Sequence, residues 1–180
     1  MLNYKKLLFV TLLTLGGLVS CGMNDDKSSP SISNSTSIST SSENVFDSTI
    51  TEKEKMILTK LASGDFTKTS LTTSDSLNTR FEVKEDMKVV TYIYKGLAEA
   101  DEYTTFDVYV AIDAKSKLIT GIEYDGEITT HGKDDEFKDN DLGLIGTDGS
   151  EIDEVTGASV SSRAIQKVAE EAIAHLKVDA

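Results

Sequence analysis

The sequence predicts an α+β fold: one small domain whose mainly antiparallel, twisted sheet packs with a short N-terminal helix and a longer amphipathic C-terminal helix. Three observations carry that reading. Between Phe81 and Tyr124, apolar side chains alternate with polar ones in four successive runs, the period of half-buried strands. Short turn signals separate the runs, and local connections make antiparallel neighbours. Beyond Ser162 the apolar spacing switches to three and four, the period of a helix.

Residues 1–20 read as an export signal that stands apart from the fold. Lys5 and Lys6 supply a charged start, Leu7 to Leu15 an apolar centre, and Leu18-Val19-Ser20-Cys21 the place where cleavage would occur. The apolar run is short for a membrane span and is interrupted by Gly16 and Gly17. Leu18 to Cys21 resembles a bacterial lipobox. That resemblance implies cleavage before Cys21 and lipidation of its thiol, so that membrane lipid holds the exported chain on the extracytoplasmic side of the cell membrane. Cys21 is the only cysteine, which leaves the exported part no internal disulfide and no thiol for a metal or for catalysis.

Residues 21–50 read as a tether. From Ser28 to Ser42, eleven of fifteen residues are Ser or Thr, and Pro30 is the only proline of the chain. Such a segment has too little apolar surface to offset the entropy of ordering it. Residues 51–180 suit a single core. Thr51-x-x-Glu54 is a capping-box signature, with Met56, Ile57, Leu58 and Leu61 as the apolar side of a short helix and Gly64 as its stop. Residues 65–79 are polar and unpatterned and read as a connection.

The strand runs are Phe81 and Val83; Val90, Tyr92 and Tyr94; Phe106, Val108, Val110 and Ile112; and Leu118, Thr120, Ile122 and Tyr124. Turns are expected at Glu85-Asp86, around Gly96 and at Asp113 to Ser116. Residues 133–154 hold nine carboxylates in 22 positions. The ligand spacing of a calcium-binding EF-hand is absent there, so the stretch reads as a solvated loop and not a metal site, with Leu142, Leu144 and Ile145 as a small apolar flap.

Charge narrows the partners. The chain carries 18 basic and 31 acidic residues, a net charge of −13. Removing Lys5 and Lys6 with the signal leaves 16 against 31, or −15. Nucleic acid is therefore excluded as an expected partner, as is adhesion of the domain itself to anionic lipid.

The chemistry concentrates in residues 153–162, Asp153-Glu-Val-Thr156-Gly157-Ala158-Ser159-Val-Ser161-Ser162, which run straight into the C-terminal helix. That helix shows Ala164, Ile165, Val168, Ala169, Ala172, Ile173 and Leu176 on one face and Arg163, Gln166, Lys167, Glu170 and Glu171 on the other. Free N–H groups and the positive end of the dipole at its first turn suit a phosphate at Ser159, with Arg163 as a counter-charge. Ser, Thr and Gly also serve ordinary helix starts and turns. Gly157-x-Ser159-x-Ser161 stops one glycine short of the hydrolase elbow Gly-x-Ser-x-Gly, and only His131 and His175 are available as a base, so a serine hydrolase is the weaker reading.

The pattern Asp153-x-x-Thr156-Gly157-Ala158-Ser159-x-Ser161-Ser162 resembles the flavinylation motif of the FMN-binding domain family. That family includes covalent-flavin subunits of the sodium-translocating NADH:quinone reductase and of Rnf-type complexes, besides small exported redox lipoproteins. The resemblance implies FMN joined to Ser159 through a phosphoester by a separate FAD-dependent flavin transferase, although Thr is commoner than Ser at that position. It implies that Thr156, Gly157, Ala158, Ser161 and Ser162 shape the loop and that Asp153 belongs to what the transferase recognises. The family commonly has a Thr-Pro-Gly loop near the flavin; Thr130, His131 and Gly132 stand in its place, with His131 where the proline would be. A surface histidine in an exposed loop is the plainer reading of His131. Ile119-x-Gly121-Ile122 also matches a family strand. Of Tyr92, Tyr94, Tyr109, Tyr124 and Phe137, no more than one or two are expected to touch the flavin, since strand aromatics are mostly core. The implied function is a membrane-anchored, extracytoplasmic electron-transfer flavoprotein, a carrier more than an enzyme, served by a membrane electron donor such as a quinone-linked NADH dehydrogenase. The alternative is a non-redox binding or adhesion lipoprotein that has kept the domain without flavin.

Overall fold

Thr51 starts the first helix with the capping box that its sequence announces. Its hydroxyl accepts from the Glu54 N–H at 3.3 Å while the Glu54 carboxylate accepts from the Thr51 N–H at 2.9 Å. A computed structural model of the chain describes residues 44–72, 74–129, 134–138 and 142–178. Cys21, the lipobox, the tether up to residue 43, and Thr130, His131 and Gly132 lie outside the described residues.

The elements follow as β1 (Val45–Phe46), α1 (Glu52–Leu61), β2 (Asp65–Ser70), β3 (Leu77–Glu85), β4 (Lys88–Glu99), β5 (Thr105–Asp113), β6 (Ile119–Asp125), α2 (Asp134–Lys138) and α3 (Ser159–Val178). The six strands form one sheet in chain order, antiparallel throughout except for the short parallel pair β1 and β2. The α+β architecture is as the sequence predicts. Among the described residues no helix is long and apolar enough to cross a membrane.

Two apolar clusters lie on the sheet. On one face Ile57 and Leu58 of α1 meet Phe66, Phe81, Val83, Ile93, Tyr109 and Ala111. The other face takes α3, where Ile165, Val168, Ala169, Ala172, Ile173 and Leu176 pack on Leu77, Tyr94, Val108, Val110 and Ile112. Burying each of the larger of these side chains contributes roughly 1.5–3 kcal/mol. β5 is therefore buried on both faces, and its alternation of Val108 and Val110 with Tyr109 and Ala111 separates two cores instead of core from solvent.

The structure corrects several local expectations. Residues 65–79 are not a mere connection: β2 pairs with β3 over Asp65↔Lys84 to Ser70↔Thr79, and β3 begins at Leu77. Only Phe66 of β2 is deeply buried, so the strand is held by its ladder and carries little apolar pattern to read. Met56 faces solvent, and α1 ends at Leu61 with Ala62 as its cap, before Gly64. The turn expected around Gly96 does not exist, because Gly96 lies within β4 opposite Val108. A Cβ there would stand 2.7 Å from Val168 Cγ1, so the glycine is what lets α3 lie close against the sheet. The chain reverses instead at Ala100–Thr104, where the Ala100 N–H donates to the Thr104 carbonyl at 3.0 Å. A register shift at Ala111/Ile112 buries Ile119 in place of Leu118. Leu142 and Leu144 are fully buried in the α3-side core and form no separate flap, while Ile145 is exposed. Glu85-Asp86 and Asp113 to Ser116 do turn, the first with Asp86 and Met87 both at positive φ, as a two-residue hairpin requires.

Candidate functional site

The loop before α3 is held by its own hydroxyls. The Ala158 N–H donates to the Val155 carbonyl at 2.9 Å, closing a turn in which Gly157 takes φ +80°, a left-handed conformation that glycine adopts without a Cβ penalty. Ser162 is fully buried. Its hydroxyl donates to the Ala158 carbonyl and accepts the Val155 N–H, both at 3.1 Å, so one side chain closes both ends of the turn. Ser161 is also buried and donates to the Ile128 carbonyl at 2.8 Å, tying the helix start to the segment after β6.

Helix α3 begins at Ser159, and the Ser162 N–H donates to the carbonyl of Ala158, the residue just before the helix, at 3.1 Å. The N–H groups of Ser159, Val160 and Ser161 precede that bond and point out of the helix start, with the positive end of the dipole. Beside them lies a cavity of about 250 Å³ lined by Asp101, Thr104, Thr129, Gly157, Ala158, Ser159, Val160 and Ser161. The Ser159 hydroxyl lines it and makes no hydrogen bond among the described residues.

The structure thus brings Gly157, Ala158, Ser159 and Ser161 to one cavity and sets Ser162 immediately behind it. Thr156 sits exposed in the turn and does not line the cavity. Asp153 is exposed and does not line the cavity. Its N–H donates to the Leu142 carbonyl at 2.8 Å, and its carboxylate lies so close over Gly143 that a Cβ there would stand 2.9 Å from Oδ2. Arg163 turns to Glu154, Nε to Oε1 2.8 Å, an ion pair that raises its pKa and keeps it from the cavity lining.

Asp101, Thr104, Thr129 and Val160 are cavity residues that the sequence reading did not single out. Asp101 and Thr104 belong to the β4–β5 turn, where Asp101 Oδ1 accepts the N–H groups of Tyr103 and Thr104, both at 2.8 Å. Asp101-x-x-Thr104 is itself a turn signature in the sequence, competing there with Gly96. Thr104 is 5 % exposed, and its hydroxyl has no partner among the described residues.

None of the five strand and loop aromatics lines this cavity. Tyr94, Tyr109 and Phe137 are buried in the two cores. Burial pushes the Tyr109 phenol up to about 12, against the Lys95 ammonium beside it. Tyr92 is flanked by Arg80 and Lys117, and Tyr124 packs edge-on against Phe106 and Phe137. His175 stacks obliquely on Tyr94, sixteen residues along α3 from Ser159 and so roughly 24 Å away, which removes it as a base for that serine.

Comparison with curated proteins returns no match. Comparison with family models matches residues 103–174 to the FMN-binding domain, a stretch that runs from the β4–β5 turn through β5, β6 and the cavity loop into the last turns of α3. FMN is the cofactor that this match indicates, and residues 103–174 are similar to the FMN-binding domain, the family whose motif residues 153–162 resemble.

Proposed function

We propose that this chain is a membrane-anchored, extracytoplasmic electron-transfer flavoprotein carrying FMN through a phosphoester to Ser159. One contrast among the motif hydroxyls carries the reading. Ser161 and Ser162 are committed to carbonyls and an N–H of the loop, and Thr156 stands away from the cavity. Ser159 alone of the four both lines the cavity and keeps its hydroxyl uncommitted, at a helix start suited to a phosphate.

The residues present fit the group. The buried, unpartnered Thr104 hydroxyl beside Ser159 is a polar contact awaiting a ligand, since an unsatisfied buried group costs stability that a bound polar molecule would restore. Attachment would form a bond from Ser159 Oγ to the FMN phosphorus of FAD and break the pyrophosphate bond, with AMP leaving and the hydroxyl proton passing to a base of the transferase. The α3 N–H groups would bear the phosphate charge, Ser161 and Ser162 would hold the loop still, and Gly157 would leave room for the incoming dinucleotide. Bound FMN supplies one- and two-electron redox chemistry that no side chain of the domain performs. Lipid on Cys21 and the Ser/Thr-rich tether would keep the domain within reach of a membrane electron donor while its acidic surface holds it off anionic lipid.

Co-production of the chain with an FAD-dependent flavin transferase tests this. The expected product is yellow, keeps its colour through denaturation, and gains the mass of one FMN less one water. A colourless product of unmodified mass would overturn the assignment and favour a non-redox binding or adhesion lipoprotein.

A further inference from the structure

The cavity beside Ser159 has a chemical character of its own. Among the described residues its lining offers no aromatic ring: Val160 and Ala158 are apolar, and beside Gly157 stand two threonines, two serines and a carboxylate. At about 250 Å³ it is smaller than the usual pocket for a whole drug-sized ligand. Among these described residues an isoalloxazine ring finds nothing to stack on. In FMN the covalent order from the attachment oxygen is phosphorus, then the ribityl chain, then the ring, so the ribityl chain is the part nearest Ser159.

We propose that the β4–β5 turn, through the Thr104 hydroxyl, is the polar wall that binds the ribityl hydroxyls of the flavin; this rests on the cavity being the flavin site and deepens that reading. Thr104 is 95 % buried in the sense that only 5 % of it is exposed, lines the cavity, and has a hydroxyl with no partner among the described residues. Its backbone is fixed on both sides: its N–H donates to Asp101 Oδ1 at 2.8 Å and its carbonyl accepts the Ala100 N–H at 3.0 Å. The hydroxyl is therefore held in place with its hydrogen-bonding capacity unused, a cost to the empty domain that a ligand recovers. A polyol is the matching ligand because each of its hydroxyls both donates and accepts, as the threonine hydroxyl does. Asp101 acts as a positioning residue, since its Oδ1 holds the two N–H groups that shape the turn.

The test uses the full chain made without a transferase, titrated with free FMN and, separately, with lumiflavin, which has the ring and no ribityl chain. Thr104→Val keeps the shape and removes the hydroxyl, and Thr104→Ser keeps the hydroxyl. Thr104→Val is expected to weaken FMN binding about 5- to 10-fold, the loss of one ligand hydrogen bond, with Thr104→Ser close to wild type. Lumiflavin affinity should be the same in all three. The melting midpoint of ligand-free Thr104→Val should equal or exceed that of wild type, because a buried unsatisfied hydroxyl has been removed, and this shows that the variant is folded. Equal FMN affinity of wild type and Thr104→Val, an equal loss for lumiflavin, or no FMN binding by wild type overturns the inference. Because these titrations are non-covalent, they report on Thr104 whether or not a transferase modifies Ser159, so failure here and failure of the attachment site are separate results.

Discussion

The Ser161 hydroxyl donates to the Ile128 carbonyl across 2.8 Å, joining the first turn of α3 to the chain that leaves β6. Both groups are buried, and Ser161 also lines the cavity. Replacing it by alanine removes that buried bond, so Ser161→Ala should lower unfolding stability by about 0.5–1.5 kcal/mol and reduce flavin attachment by loosening the loop. Denaturant unfolding of the unflavinylated protein measures the first effect and flavin stoichiometry the second.

Gly157 separates backbone strain from access. At φ +80° a β-branched residue is strained by about 1–2 kcal/mol, whereas asparagine tolerates the left-handed region. Gly157→Val should therefore lose stability and attachment together. Gly157→Asn should keep near wild-type stability and still attach flavin poorly, because a side chain now stands at the cavity wall. Full labelling of Gly157→Asn would mean that the glycine serves the turn alone.

The sequence made these residues legible to very different degrees. The capping box at Thr51 and Glu54, the apolar face of α3 and the hairpin at Asp86 are local devices whose residues act within a few positions of one another, so reading them needs no tertiary knowledge. The motif at residues 153–162 was legible as a loop meeting a helix for the same reason. The division of labour within it was not, since the partner of Ser161 is 33 residues away at Ile128. β2 was missed because its stability comes from the ladder to β3 and one buried phenylalanine, and Thr104 because its importance depends on burial by a distant loop. Gly96 misled for a physical reason: glycine marks a turn or a close approach, and which one depends on the Val168 side chain above it.

That contact gives a prediction of its own. Gly96→Ala would push a methyl group to within 2.7 Å of Val168 Cγ1 at a fully packed interface, costing about 1–3 kcal/mol. Val168→Ala alone should also destabilise, by leaving space. The double variant should recover part of the loss, and a double-mutant cycle that shows purely additive costs would mean that α3 does not rest on Gly96.

Glu54 sets an acid limit on stability. Burial works against its ionisation and is outweighed by the Lys68 ammonium, 2.8 Å from each oxygen, and by the Thr51 N–H and hydroxyl, so the carboxyl is held below its ordinary value of 4.5. A folded value below the unfolded one stabilises the fold above pH 4.5, and that contribution is lost as pH falls through the lowered value. Glu171 behaves alike: burial is outweighed by bonds from Ser74, Ser76 and the Asp75 N–H. Unfolding midpoints measured from pH 7 downward should therefore drop below pH 4.5, and Glu54→Gln should start lower at pH 7 and fall less steeply.

The central claim is that the Ser159 hydroxyl oxygen is the attachment atom, and the measurement closest to it is peptide mapping by mass spectrometry of the protein purified from its native cells. The account predicts one FMN less one water on the peptide containing Ser159, with fragmentation placing it on that serine and none on Thr156, Ser161 or Ser162. A Ser159→Ala variant should be unmodified and keep the wild-type melting midpoint of the flavin-free protein. An unmodified native Ser159 peptide, or flavin carried on another residue, would contradict it.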